Sequence, residues 1–156
     1  LEVSSGTLQV KDGGVGYAKL AANAAHKVTI AEGTGDDRSP NATNTWENID
    51  VASLRASFTP PVECNVLCFA QITVDGAVDY RVKFRLAFDG NPVDGSVVQG
   101  ELMGTASPIT FTIIYVLQDV SAAPHTIDLQ WNCQLAGTDW TSGTPAHVTV
   151  IELRDG

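Results

Sequence analysis

From Thr45 to Leu153 apolar and polar residues alternate with a period of two, interrupted by clusters of Gly, Pro, Asp and Asn. In ECNVLCFAQITV, one face collects Cys64, Val66, Cys68, Ala70, Ile72 and Val74, while Glu63, Asn65, Gln71 and Thr73 share the other with Leu67 and Phe69. That pattern predicts a strand with one face in a core. DGA, Asp75–Ala77, predicts a turn. DYRVKFRLAF then places Tyr80, Val82, Phe84, Leu86 and Phe88 inward and Arg81, Lys83 and Arg85 outward, so an antiparallel hairpin is the expectation for the pair. A turn cluster at Asp89–Gly95 precedes ITFTIIYVL, which sets Ile109, Phe111, Ile113, Tyr115 and Leu117 against Thr110, Thr112, Ile114 and Val116. HTIDLQWNC sets His125, Ile127, Leu129, Trp131 and Cys133 against Thr126, Asp128, Gln130 and Asn132. After the loop LAGTDWTSGTP, the last strand, AHVTVIEL, has no clearly polar face; TWENIDVASLRASF adds one or two strands. About seven or eight strands separated by turn chemistry define an all-β fold, an antiparallel β-sandwich, with the eight-stranded jelly roll its preferred form. No internal repeat supports a propeller or solenoid.

The N-terminal part has a different period. LEVSSGTLQV alternates loosely, as a short strand or extended lead-in does. In KDGGVGYAKLAANAAHKV, Lys11–Val28, the residues Tyr17, Leu20, Ala21, Ala24 and Val28 fall at helical spacing and predict a short helix with one apolar stripe. Such a helix is shorter than the roughly 12–15 residues at which isolated helices become marginal, so its stripe needs a cover. AEGTGDDRSPNA, Ala31–Ala42, reads as a surface loop. The expected organisation is a connector over 1–30, a loop over 31–44 and the sandwich over 45–156.

The chain has 156 residues, the size of one domain plus an appendage. Nine basic against eighteen acidic residues give a net charge of −9, which argues against nucleic acid as a partner. No apolar run approaches the roughly 18 residues of a membrane span, and no basic-then-apolar leader opens the sequence. Cys64 and Cys68 sit about 13 Å apart along one strand, beyond disulfide reach; buried thiols are the expectation, with a Cys133 pairing left open. GxSxG, HExxH and a glycine-rich phosphate loop are all missing. His26, His125 and His147 are assigned to a helix end and strand starts rather than to catalysis. Asp36, Asp37 and Asn41 lack the EF-hand spacing and read as a solvated loop, and Asn41-Ala42-Thr43 matches a glycosylation acceptor. The stripe of Arg81, Lys83 and Arg85 suits an anionic glycan, but carboxylates on neighbouring strands are the favoured partners. Trp140, in a Gly/Thr/Ser loop beside Asp139, suits either a sugar contact or a plug beneath the loop. Trp46 and Trp131 are assigned to the core.

SGTLQVKDGGVGYAKLAANAAHKV resembles the connector of tailed-phage fibre and other virion proteins, through Asp12-Gly13, Lys19-Leu20-Ala21 and Asn23-Ala24. The remainder is similar to the β-sandwich heads of such proteins, through TWENID, FRLAFDG, HTIDLQW and VTVIEL in that order; Pro124 stands where that pattern has a Gly. The resemblance implies a TNF-like jelly roll and a non-enzymatic virion structural protein on the phage tail or capsid surface. It implies a homotrimer in which Tyr17, Leu20, Ala21 and Ala24 pack around a three-fold axis. Other virion proteins and a host cell-surface glycan or protein are the implied partners, and Asp139, Trp140 and Thr141 are the candidate contacts. Neither a cofactor nor a metal belongs to this reading. Two alternatives remain: a capsid decoration or head-fibre protein clamping capsid subunits, and a secreted carbohydrate-binding module or polysaccharide-cleaving enzyme.

Overall fold

The computed structural model describes residues 2–4, 7–9, 26–34, 40, 42–76, 80–102, 108–134, 138–140 and 145–153. In chain order the strands are β1 (Glu2–Ser4), β2 (Thr7–Gln9), β3 (Val28–Thr34), β4 (Glu47–Asn48), β5 (Arg55–Phe58), β6 (Cys64–Gly76), β7 (Tyr80–Phe88), β8 (Asn91–Pro92), β9 (Val98–Leu102), β10 (Ile109–Val120), β11 (His125–Cys133), β12 (Thr138–Trp140) and β13 (Pro145–Leu153). A 3-10 turn spans Asp94–Ser96. β1 and β2 pair with each other, as the loose alternation of the lead-in suggests.

The other strands form two antiparallel sheets. Sheet I has the order β10-β6-β13-β3, with β12 also on β6; sheet II has the order β4-β11-β7-β8, with β5 on β11 and β9 on β7. Along the chain, β3, β6, β10 and β13 lie in sheet I, and β5, β7, β9 and β11 in sheet II. This alternation between sheets is jelly-roll connectivity. The inward faces predicted from the pattern meet in the core: Val66, Cys68, Ile72 and Val74 of β6 and Val148 and Val150 of β13 face Val82, Phe84 and Leu86 of β7 and Ile127, Leu129 and Trp131 of β11, all buried. Cys64, Cys68 and Cys133 stand as buried thiols, and burial pushes the Cys68 thiol up to about 12.

Four expectations are corrected. β6 and β7 are not a hairpin: β6 pairs with β10, β12 and β13, and β7 with β11, β8 and β9. Both strands have one apolar face, and in opposite sheets those faces cover each other, which neighbours in one sheet cannot do. Ala31–Thr34, expected in a loop, belongs to β3, an edge strand along β13, so sheet I begins upstream of Thr45. Val28, expected in the helical stripe, is the first residue of that strand. The rest of that stripe, Tyr17, Leu20, Ala21 and Ala24, lies outside the described residues. Trp131 is buried as expected, but Trp46 sits half-buried beneath Arg85, whose guanidinium carbon is 4.1 Å from the ring centroid.

Candidate functional site

The sandwich has two distinct ends. Val28 of β3 pairs with Ile151 of β13, which pairs with Leu67 of β6. Val74, seven residues further along β6, pairs with Trp140 of β12. At a rise of roughly 3.3 Å per residue, about 23 Å separates the point where the chain joins sheet I from β12. Three residues connect Gly76 to Tyr80, so β7 begins at the same end as β12.

At the near end a clasp joins two turns. Asp89 and Gly90 have φ values of 49° and 78°, both in the left-handed region, which matches the two-residue type I′ turn between β7 and β8. The Asp89 carboxylate accepts from the Thr126 amide at 2.8 Å and lies 2.7 Å from His125 Nδ1. His125 Nε2 is 3.1 Å from both the Ser121 carbonyl and its hydroxyl, and the ring packs against Phe58 and Phe88. The imidazole therefore bridges the Asp89 carboxylate and Ser121 across the two turns. Burial alone raises the Asp89 carboxyl, but the hydrogen bonds from His125 and Thr126 outweigh it and hold the group below its ordinary value. As pH falls, the unfolded chain then takes up this proton before the folded one. The stabilisation is complete above the unfolded value of about 4 and is lost as pH falls through the lower folded value. The side chain is 39% exposed, so screening keeps the effect modest. Asp89→Asn is expected to flatten the decline in melting temperature below about pH 4; an unchanged acid limb would remove Asp89 from it.

At the far end, on the outer face of sheet II, Asn44, Arg81, Lys83, Asn132 and Gln134 line an open concavity of about 150 Å³. Strand register sets Lys83 opposite Asn132. Backbone bonds hold the rim: the Gln134 amide donates to the Arg81 carbonyl at 3.0 Å and the Asn44 amide to the Cys133 carbonyl at 2.7 Å. Asn44 has φ 55°, a left-handed conformation that Asn tolerates.

The neighbouring cations are engaged. Arg81 pairs with Glu101 directly across on β9 at 3.0 Å, as the cross-strand expectation required. Arg85 donates to Gln130 at 2.8 Å, stacks on Trp46 and has Asp94 at 3.7 Å. Lys83 has no ion-pair partner among the described residues. One ammonium among three side-chain amides offers donors and acceptors to a hydroxylated or anionic group. The volume is below the roughly 300 Å³ at which small-molecule pockets begin, which matches a footprint for one sugar ring or one acidic side chain.

Of the residues proposed from sequence as receptor contacts, Asp139 and Trp140, expected in a loop, lie instead on β12 in sheet I, paired with Asp75 and Val74, because β6 runs on through Asp75 and Gly76, expected in a turn, and offers them an edge; Thr141 lies outside the described residues. The basic stripe pointed to Arg81 and Lys83; Asn44, Asn132 and Gln134 carried no sequence signal, because ordinary polar residues become a site only when strand and loop converge. Asp36, Asp37 and Asn41 lie outside the described residues. Among the described residues, no three His, Cys, Asp or Glu side chains cluster as they would around a metal ion, and no helix is long and apolar enough to cross a membrane.

The fold and its two ends define a jelly-roll β-sandwich with an open polar surface site. No family model matches the chain, and no curated protein is significantly similar to it.

Proposed function

We propose that this chain is a non-enzymatic structural protein of a tailed-phage virion, the trimeric head of a fibre or spike that attaches to a glycan or protein on the host surface. One observation carries the reading: the polar concavity and β12, with Asp139 and Trp140, share the end of the sandwich remote from Val28, where the connector segment reaches sheet I. A head held at one end and touching its target at the other needs that polarity. Three such sites on one rigid particle gain avidity through effective concentration, so a shallow footprint at each suffices.

The segments that carry the resemblance also bind one another. Glu47 of TWENID accepts from the Trp131 indole of HTIDLQW at 3.2 Å, and Asp89 of FRLAFDG holds His125 of the same segment. The test is adsorption. Phage particles carrying Lys83→Glu together with Trp140→Ala are expected to attach to host cells at least tenfold more slowly, with particle yield unchanged. Unchanged attachment overturns the receptor assignment, and immunolabelling of the capsid instead of the fibre tips moves the protein to the decoration role.

A further inference from the structure

On the outer face of sheet II, Arg81, Lys83 and Arg85 follow one another along β7, and strand register decides what each one meets. Arg81 stands opposite Glu101 on β9 and pairs with it at 3.0 Å. Arg85 stands opposite Gln130 on β11 and lies over Trp46, with Asp94 at 3.7 Å. Lys83, between them, has Asn132 opposite on β11 and Gln99 opposite on β9. Directly opposed side chains are the ones that pair in a sheet, and an amide on either side cannot neutralise an ammonium. The carboxylates that the two flanking strands do carry, Glu101 and Asp128, are held by Arg81 and Arg55. Lys83 and Asn132 are half-buried and floor the concavity, while Asn44, Arg81 and Gln134 are exposed around it.

We infer that this concavity takes a sugar that bears a carboxylate, of the uronic or sialic type, and that Lys83 binds the carboxylate. The lining separates this ligand from its rivals. A neutral ring gains affinity by packing its apolar face against an aromatic or aliphatic wall, and among the described residues the concavity has none. It offers hydrogen bonds instead, and those to a charged group are roughly twice as strong as those between neutral groups. The charge that fits is negative and single. One unpaired ammonium balances one carboxylate, whereas a phosphate monoester, with about 1.5 to 2 charges, would be left partly unmatched. Arg81 adds to the attraction, because only its Nη2 is committed to Glu101 and a guanidinium has further donors. The amides of Asn44, Asn132 and Gln134 present both donors and acceptors. Ring hydroxyls satisfy both kinds, and the bare carboxylate of an acidic peptide side chain satisfies only the donors. The chain carries a net charge of −9, so an anion is held here by the local field of Lys83 and Arg81 against a general repulsion.

The ligand class rests on reading the concavity as a receptor contact, and a test on the isolated chain lets the two fail separately. The full chain is titrated with D-glucuronate and with N-acetylneuraminate, and binding is followed by NMR through the side-chain amides of Asn132 and Gln134. Methyl glucoside is the neutral control, and glutarate is an acid without ring hydroxyls. At least one sugar acid is expected to shift these signals with an affinity at least about tenfold above both controls, and Lys83→Gln is expected to lose that margin. Raising the salt from about 0.05 to about 0.5 M should weaken wild-type binding as well, the same test of charge with the sequence unchanged. Methyl glucoside binding as tightly as the sugar acids overturns the role of charge. Glutarate binding as tightly as they do overturns the glycan and points to an acidic protein target, and no shift with any sugar acid overturns the ligand class altogether. Sugar-acid binding combined with unchanged attachment of the Lys83→Glu, Trp140→Ala phage supports the ligand and overturns the receptor role. Slowed attachment without sugar-acid binding overturns the ligand and leaves the receptor role standing.

Discussion

Arg55→Ala is expected to destabilise the fold by about 3 kcal/mol, because it strips a buried carboxylate of its partner. Asp128 points to the outer side of sheet II and is nevertheless only 2% exposed, since Arg55 lies across it from β5. The guanidinium donates through Nε at 2.7 Å and Nη2 at 2.9 Å, the two-point fork that matches a carboxylate. Arg55 itself is 35% exposed, so water reaches part of the vacated space and the effect falls at the low end of the usual ~3–5 kcal/mol. For a domain of this size the loss corresponds to roughly 6–12 °C in melting temperature. Arg55→Lys keeps the charge and loses the fork, so it should fall between. Arg55→Met with Asp128→Leu should recover most of the stability, because it removes both charges together. Thermal unfolding at fixed protein concentration measures all three. A single variant within about 0.5 kcal/mol of wild type, the range of ordinary surface changes, would show that the pair does not secure β5 to β11.

Phe84→Ala is expected to cost about 3–5 kcal/mol, the largest effect of any substitution considered. Phe84 is fully buried on β7 and meets Phe111 of β10 across the interior, with ring centroids 4.7 Å apart. Phe111 in turn lies against Gly100 of β9, where an added Cβ would stand 2.8 Å from the ring. The Phe111 ring is thus held between an aromatic partner and a glycine backbone, and it has little freedom to fill the vacated volume. Loss of apolar transfer and a persisting cavity therefore add, whereas Phe84→Leu should cost less than half as much. Denaturant titration separates the two outcomes: the midpoint should fall with the slope unchanged. A cost near 1 kcal/mol would mean that the sheets close up and that this aromatic pair does not set their spacing.

Reading the chain from its pattern worked where the information is local. The alternation in β6, β7, β10 and β11 named the core residues correctly, from Val66 to Trp131, because successive side chains point to opposite faces whatever the strand pairs with. The turn at Asp89-Gly90 was legible for the same reason, since few residues accept two consecutive left-handed conformations. The basic stripe marked part of the polar site. Asp128 read as an ordinary outward carboxylate, and its burial follows from an arginine seventy-three residues away. Trp46 read as core and lies under Arg85, because its cover comes from another strand.

The sequence by itself determined the all-β class, the inward faces of β6, β7, β10 and β11 and the turn at Asp89-Gly90, all consequences of steric rules within a few residues. Tertiary structure alone decided that β6 and β7 belong to opposite sheets and that Val28–Thr34 closes the edge of sheet I. Backbone hydrogen bonds are alike for any pair of strands. The choice of partner therefore rests on how whole apolar faces cover one another, a property of the assembled sandwich that no single segment contains.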